Sequence, residues 1–263
     1  MTDPTVGVVF RPQSPPEELR GVVQSAEAAG IDELWLWEDC FLEGGFTAAA
    51  AALAWSGELR VGIGLLPVPL RNPALAAMEI ATLARMFPGR FLPGIGHGVL
   101  DWMAQVGAGV PSPMTLLREY TVAVRELLHG ATVTTDGRFV RLAGVALDWP
   151  PAVVPPLLVG GRGPKTLRLA GELADGVLLD VAISRDQIRA AVDVVEEGAA
   201  AAGRTEAPRV VVYVELDPAA ADPAKQVAAD VAFFAAAGAD TVVFQGPDTA
   251  PAAEPLIAAI AAR

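Results

Sequence analysis

A glycine-rich basic turn offers the clearest chemistry in this sequence. The stretch LLVGGRGPKTLRLAGELADGVLL, residues 157–179, passes from an apolar run through a turn into a short helical pattern and a second apolar run. Glycines let backbone N–H groups approach an anion closely, and a helix N-terminus adds partial positive charge. The pattern predicts a phosphate-binding turn made by Gly160, Gly161, Arg162, Gly163, Pro164 and Lys165. A plain tight turn with solvated basic side chains is the alternative.

Neither of the two common nucleotide signatures is complete here. GRGPKT lacks the last glycine of G-x-G-x-x-G, and Pro164 stands where a P-loop has glycine before its lysine. A second turn, GIGHGV at 94–99, also lacks the last glycine. We interpret its Gly96 and Gly98 as candidate cofactor contacts. His97 between them is either a proton-transfer residue or a structural histidine.

Two adjacent carboxylates, Glu38 and Asp39, follow the apolar run ELWLW. A carboxyl group whose pKa is raised by burial can act as a general acid or base. Neighbouring side chains point in different directions, so we expect at most one of the two to face a pocket. The alternative is that one of them caps the next helix. Cys40 follows with no histidine near it in sequence, which favours packing over nucleophilic catalysis.

Composition excludes several functional classes. Cys40 is the only cysteine and there are two histidines, so an internal disulfide and a metal centre are not expected. The formal net charge of −12 argues against nucleic acid or an anionic membrane as a partner. No apolar run approaches the ~20 residues of a membrane span, and the N-terminus lacks the features of a signal peptide. We therefore predict a cytoplasmic protein that acts on a small molecule.

Eight short apolar runs recur along the chain, as is typical of parallel strands buried on both faces. They lie at 6–10, 33–37, 60–66, 90–96, 157–161, 176–180, 209–215 and 240–246. Helical patterns separate them, with start signals at Asp222-Pro223 and at the capping-box spacing from Ser14 to Glu17. Eight βα units predict an α/β fold of the (β/α)₈ TIM-barrel type. A doubly wound open sheet is the alternative.

One interval is longer than a βα unit. Residues 97–156 hold a helical pattern and then TVTTDGRFVRL, in which Asp136-Gly137 predicts a hairpin turn. We interpret this region as an insertion after the fourth strand, within a single domain that spans 1–263. In a barrel, function is located where the strands end, and the candidate residues above all fall there.

Four segments resemble the bacterial luciferase-like flavin and deazaflavin oxidoreductases, most closely the branch that uses coenzyme F-420. They read ELWLWEDCFLEGG, RVGIGLLPVPLRNP, PGRFLPGIGHGVLDWMAQVG and PPLLVGGRGPKTLRLAGELADGVLL. The resemblance implies a cofactor ring at the C-terminal mouth of the barrel. Behind the ring it implies a bulge with a non-prolyl cis peptide near Gly64-Leu65, and it assigns the cofactor phosphate to residues 160–165. It also implies a homodimer.

The resulting hypothesis is an oxidoreductase that transfers a hydride between coenzyme F-420 and a small organic substrate. Gly64 and Leu65 would back the ring, and Asp39, Glu38 or His97 would handle the proton. Two alternatives stay open: a luciferase-like monooxygenase that uses flavin mononucleotide (FMN), and a non-catalytic flavin-binding protein.

Overall fold

The structure is a computed structural model that describes residues 4–263. Its strands are β1 Thr5–Phe10, β2 Glu33–Leu36, β3 Arg60–Pro67, β4 Phe91–Gly96, β5 Val133–Asp136, β6 Arg141–Val145, β7 Leu158–Gly160, β8 Gly176–Leu179, β9 Arg209–Glu215 and β10 Thr241–Gln245. The helices are α1 Leu19–Ala28, α2 Gly45–Trp55, α3 Pro73–Met86, α4 Leu100–Gln105, α5 Pro113–Leu128, α6 Pro164–Leu173, α7 Ile188–Ala201, α8 Pro223–Ala236 and α9 Glu254–Ala261.

Eight of these strands close into a barrel in the order β1-β10-β9-β8-β7-β4-β3-β2. Every neighbouring pair in the barrel is parallel. All eight apolar runs form these strands, so the prediction of a (β/α)₈ barrel is confirmed and the open sheet is wrong. The closure follows from burial on both faces, because helices cover the outside of each strand while side chains fill the interior.

Of the two helix starts predicted from capping residues, the one at Asp222 is confirmed and the one at Ser14 is not. Asp222 caps α8 as predicted: its carboxylate accepts a hydrogen bond from the Lys225 N–H at 3.0 Å, and Pro223 occupies the first helical position. The capping box predicted at Ser14 is wrong. The first turn there is a 3₁₀ segment, Pro16–Glu18, with Pro15 as its cap and no side-chain hydrogen bond.

The long interval between β4 and β7 contains α4, α5 and an antiparallel hairpin of β5 and β6. The predicted turn is confirmed, since the Gly137 N–H donates to the Val140 carbonyl at 2.9 Å. Glu119 on α5 accepts hydrogen bonds from three N–H groups of this hairpin at 2.8–3.0 Å, those of Arg138, Phe139 and Val140. The hairpin is therefore fixed to α5.

The barrel interior has its own apolar core, separate from the larger core between strands and helices. Trp35 is its largest member and is fully buried. The other fully packed members are Val9, Leu92, Leu158, Leu178, Val211, Tyr213 and Val243. Trp37 and Leu65 are only partly buried against this cluster, so they form part of the surface at its upper end. Among residues 4–263, no helix has the length and hydropathy that a bilayer span requires.

Candidate active site at the mouth of the barrel

The third strand is interrupted at the position that the family resemblance indicated. The register between β3 and β4 shifts between Ile63 and Leu66. Within that break the Gly64-Leu65 peptide bond is cis. The predicted bulge and cis bond are thus confirmed, whereas the role of Gly64 and Leu65 in backing a ring stays a prediction.

The Leu65 side chain explains two of the predicted cofactor glycines. A Cβ atom at Gly96 would lie 2.5 Å from Leu65 Cδ2, and a Cβ at Gly160 would lie at the same distance. These two glycines face each other across the pairing of β4 with β7. Their first role is therefore to make room for Leu65, a packing reason that sequence reasoning had not considered.

Aromatic side chains form the floor of the barrel mouth. The Tyr213 ring meets Trp35 edge-on at 5.9 Å between centroids, and Trp37 at 6.1 Å. Its hydroxyl lies so close to Gly64 that a Cβ there would be 1.9 Å away. The hydroxyl and the Trp37 indole N–H are buried, and neither finds a hydrogen-bond partner in the described part of the chain. Burial raises the pKa of Tyr213, so this hydroxyl keeps its proton.

Arg11 closes one side of this floor. It is buried, and its guanidinium lies 5.2 Å from the Trp37 ring centroid. It donates to the Gly246 carbonyl at 2.6 Å and forms an ion pair with Asp248. The ends of β1 and β10 are thereby joined through one cation.

Glu38 is a buried anchor. Its carboxylate receives both terminal nitrogens of Arg71, with Nη2 at 2.8 Å from Oε2, and also accepts the Gly45 N–H at 2.8 Å. The second contact places the negative charge at the start of α2, where the helix dipole favours it. Both oxygens are occupied, which matches the alternative of a helix-capping carboxylate.

Asp39 has a different environment although it is adjacent. Burial raises the pKa of its carboxyl, and the charge of Arg11 partly opposes that rise. Asp39 lines a cavity of about 450 Å³ between the loops after β2 and β3. Of the two adjacent carboxylates, Asp39 is therefore the one better placed for proton transfer.

His97 lies in another part of the mouth and is not among the residues that line the Asp39 cavity. Its Nε2 is 3.2 Å from the Thr166 hydroxyl, and its Nδ1 is buried without a partner in the described residues. Burial lowers the pKa of His97, so the neutral ring is favoured. Gly98 beside it has φ +67°, a left-handed conformation that favours glycine.

The glycine-rich turn leads directly into α6. Gly163 is the N-cap residue, and its carbonyl accepts the N–H groups of Thr166 and Leu167. Gly161 is required by packing, because a Cβ there would lie 2.3 Å from the Thr166 side chain. Pro164 occupies the first helical position, which leaves the helix N-terminus free to face an anion.

The two basic residues of the turn differ in whether they form an ion pair. Arg162 is exposed and its Nε contacts both carboxylate oxygens of Asp180, at 2.8 and 2.7 Å. Lys165 is exposed and forms no ion pair within residues 4–263. Lys165 is therefore free to meet a ligand, while Arg162 has to be shared with Asp180.

Sequence reasoning missed three charged residues that share the Asp39 cavity. They are Glu43, which precedes α2, Arg71, which follows β3, and Glu79 on α3. Arg71 could have been found, because it stands directly before the helix-start pair Asn72-Pro73 and so at a strand end. No comparable signal marks Glu43 or Glu79.

The fold and the strand-end site define a TIM-barrel protein with its candidate ligand site at the C-terminal mouth. Residues 4–259 match the family described as luciferase-like monooxygenases, and the chain belongs to that family. Within residues 4–263, no group of three or more histidine, cysteine, aspartate or glutamate side chains is arranged to hold a metal ion.

Two curated relatives illustrate the range of the sequence similarity. A 5,10-methylenetetrahydromethanopterin reductase from Methanolobus tindarius is 29% identical over 257 residues, which cover 95% of this chain and 77% of the relative. An F-420-dependent glucose-6-phosphate dehydrogenase from Nakamurella multipartita is 30% identical over 200 residues. That match covers 68% of this chain and 57% of the relative, so the chain spans less than two thirds of that enzyme.

Solved structures share the fold at lower identity. An F-420-dependent secondary alcohol dehydrogenase, in complex with an F-420–acetone adduct, superposes with a TM-score of 0.85 at 19% identity and full coverage of both chains. The oxygenating constituent of 3,6-diketocamphane monooxygenase from Pseudomonas putida, in complex with FMN, gives 0.78 at 16% identity, covering 98% of this chain and 96% of that one.

Proposed function

We propose that this protein is an oxidoreductase that transfers a hydride between coenzyme F-420 and a small organic substrate. The observation that carries the proposal is the pairing of Gly96 with Gly160, with Leu65 packed against both. It places the cis-peptide bulge of β3 and the glycine-rich turn after β7 on the two strands that flank β4, at one mouth of the barrel. The similar glucose-6-phosphate and secondary alcohol dehydrogenases are both named as F-420-dependent, which supports the same chemistry here.

The residues present fit a flat ring that carries a phosphate. Trp37 and Leu65 provide a partly exposed apolar surface at the top of the interior core. The start of α6 and Lys165 provide backbone donors and a positive charge for the phosphate. We assign cofactor contacts to Gly64, Leu65, Gly96, Gly98 and the turn 160–165. When bound, coenzyme F-420 would supply the hydride donor or acceptor.

The protein itself would bind and orient the cofactor and the substrate, and its side chains would transfer the proton. Of the three candidate catalytic residues, Asp39 is assigned a supporting part in proton transfer, because its carboxyl is half-buried in the cavity and forms no ion pair with the other residues of 4–263. Glu38 would act by holding Arg71 in that cavity. A neutral His97 would position Thr166 at the start of α6.

Several finer features belong to the same proposal. We infer that residues 97–156 are an insertion in the fourth βα unit of a single cytoplasmic domain. We also infer a homodimer formed through α2 and α3. Between these helices lies an apolar groove of about 300 Å³, and Leu75 and Met78 on its wall are exposed. Light scattering of the purified protein tests the dimer.

The second candidate is a monooxygenase that uses reduced FMN and oxygen. It is favoured by the family description and by the FMN complex among the similar structures. A ring and a phosphate are common to both cofactors, so the same turn and floor would serve either.

The deciding experiment is a pair of binding titrations, with coenzyme F-420 and with FMN, followed by fluorescence. We expect saturable binding of F-420 at micromolar concentration or below and much weaker binding of FMN. Oxygen consumption with reduced FMN would establish the monooxygenase instead. Binding of a cofactor with no turnover over a broad substrate panel would identify the non-catalytic alternative.

A further inference from the structure

Glu43 presents a carboxyl group with no hydrogen-bond partner among residues 4–263. It lies in the loop between β2 and α2, two residues before the helix begins at Gly45. Both of its carboxylate oxygens are buried, and neither has a hydrogen-bond partner in the part of the chain that the structure describes. An ionised carboxylate in such a place is costly unless something arrives to stabilise it. The buried carboxylate of Glu38, by contrast, accepts hydrogen bonds from Gly45 and Arg71.

Its surroundings form the cavity that Asp39 also lines, of about 450 Å³. Arg71 is the cation in that lining, and it is already engaged by Glu38 and, through its Nε at 3.4 Å, by Glu79. The charged residues that line this cavity together with Glu43 are therefore Glu38, Asp39, Glu79 and an occupied Arg71. The remaining lining residues bring no free cation to the Glu43 carboxyl.

We propose that Glu43 is a further catalytic acid–base residue beside Asp39: it takes the hydroxyl proton directly from an uncharged alcohol substrate held in this cavity, and it protonates the oxygen of the corresponding carbonyl compound in the reverse direction. This inference rests on the function proposed above. In the oxidising direction, bound oxidised F-420 would supply the acceptor for the hydride that is released when the substrate's carbon–hydrogen bond breaks. The O–H bond breaks, its proton goes to the Glu43 carboxylate, and its electrons form the carbonyl double bond. The reverse reaction returns the proton from the Glu43 carboxylic acid.

The pKa of the Glu43 carboxyl is suited to acid–base catalysis. Burial raises the pKa of Glu43 to about 6, so acid and base forms coexist near neutral pH. Burial also raises the pKa of Asp39. The pKa of Glu79 is raised as well, because the effect of burial exceeds the opposing effect of the Arg71 charge. The surplus of carboxyl groups favours an uncharged substrate over an anionic one.

The first test needs no cofactor. The carboxyl carbons of the apo protein, labelled with carbon-13 in glutamate, are titrated by NMR in wild type and in Glu43→Gln. We expect one resonance that titrates near pH 6 and is missing from the variant. The control is Glu58→Gln, an exposed glutamate in the turn before β3. If every glutamate titrates at the ordinary value, the proposal is overturned.

The second test separates this proposal from the proposed function. Reduction of F-420 is followed with a panel of uncharged secondary alcohols, including 2-propanol. We expect Glu43→Gln to bind F-420 within twofold of wild type, to lose on the order of 10²-fold in kcat/KM, and to lose the acidic limb of the pH profile. Glu43→Asp should restore part of the rate and the limb.

Each remaining outcome has a defined meaning. If F-420 binds and Glu43→Gln keeps the wild-type rate and pH profile, the role of Glu43 is overturned and the proposed function stands. If wild type neither binds F-420 nor turns over any alcohol, both proposals are overturned.

Discussion

Leu65 packs so closely over Gly160 that any β-carbon at position 160 would lie 2.5 Å from Leu65 Cδ2. One residue belongs to the cis-peptide bulge of β3 and the other ends β7, where the glycine-rich turn begins. The two halves of the proposed cofactor site are thus in direct contact. We therefore expect a substitution in one half of the site to displace residues in the other half.

The first prediction concerns this contact. Gly160→Ala should lower the free energy of unfolding by about 1–3 kcal/mol, because the added methyl group overpacks the site. It should also weaken F-420 binding by displacing Leu65. Urea unfolding and a binding titration measure the two effects. Gly21→Ala on α1, outside the proposed cofactor site, is the matched control, since a Cβ there meets nothing within 4 Å. Equal behaviour of the two variants would contradict the prediction, and adding Leu65→Ala should relieve the Gly160→Ala defect.

Lys165 carries the second prediction. Lys165→Ala should weaken F-420 binding about threefold to tenfold, because an unpaired cation next to a helix N-terminus stabilises a phosphate. Arg168→Ala, farther along α6 and paired with Glu197, should leave binding unchanged. Fluorescence titration of both variants measures the difference. Unchanged affinity in Lys165→Ala would mean that the turn holds no phosphate or relies on backbone N–H groups and Arg162.

The third prediction tests Glu38 as an anchor. Glu38→Gln should lower the free energy of unfolding by about 2–4 kcal/mol, because it leaves the Arg71 guanidinium with no bidentate partner in a mostly buried site. The matched control is Glu172→Gln, which breaks the exposed pair with Arg118 and should cost less than about 1 kcal/mol. Urea unfolding of both variants measures the two losses in free energy of unfolding. Comparable losses would refute the anchoring role of Glu38.

The fourth prediction concerns pH and Glu43. Its pKa in the folded protein, about 6, lies above the ordinary 4.5, so between these values the folded state holds a proton that the unfolded state has released. The free energy of unfolding should therefore decrease as pH rises from about 4.5 through 6. Glu43→Gln removes the part of this decrease that comes from Glu43. It should therefore be more stable than wild type at pH 8 by about 1 kcal/mol, which is half of the full effect of the pKa shift because the group is partly solvated.

Urea unfolding at pH 5 and pH 8 measures that difference. Glu58→Gln should follow wild type at both values. A Glu43→Gln variant that gains nothing at pH 8 would show that the carboxyl is stabilised in the folded protein by something other than its own proton.

Much of the fold could be predicted from the sequence. The barrel strands are buried on both faces, so each reads as a nearly continuous apolar run and is recognisable in isolation. Asp222 and Pro223 likewise act on the residues next to them, and the helix they predict is present. The capping box predicted at Ser14 is wrong because Pro15 and Pro16 start a 3₁₀ turn before the α-helix.

The candidate site was less accessible to sequence reasoning. The Gly64-Leu65 cis bond was located through family resemblance, since no local pattern specifies it. The glycines at 96 and 160 were recognised as important, but their contact with Leu65 was not foreseen. The sequence does not reveal Glu43, because nothing near it along the chain shows that its carboxyl is buried without a donor among residues 4–263.

The sequence by itself determined the eight strands and the order of the helices between them, together with a basic turn at the end of one strand. These depend on residues close along the chain, whose periodicity and capping chemistry are local. Only the tertiary structure decided that Arg71 reaches Glu38 across 33 positions and that His97 meets Thr166 across 69. Such contacts depend on closure of the barrel, which brings distant strand ends into one mouth and fixes the burial that sets each carboxyl's pKa.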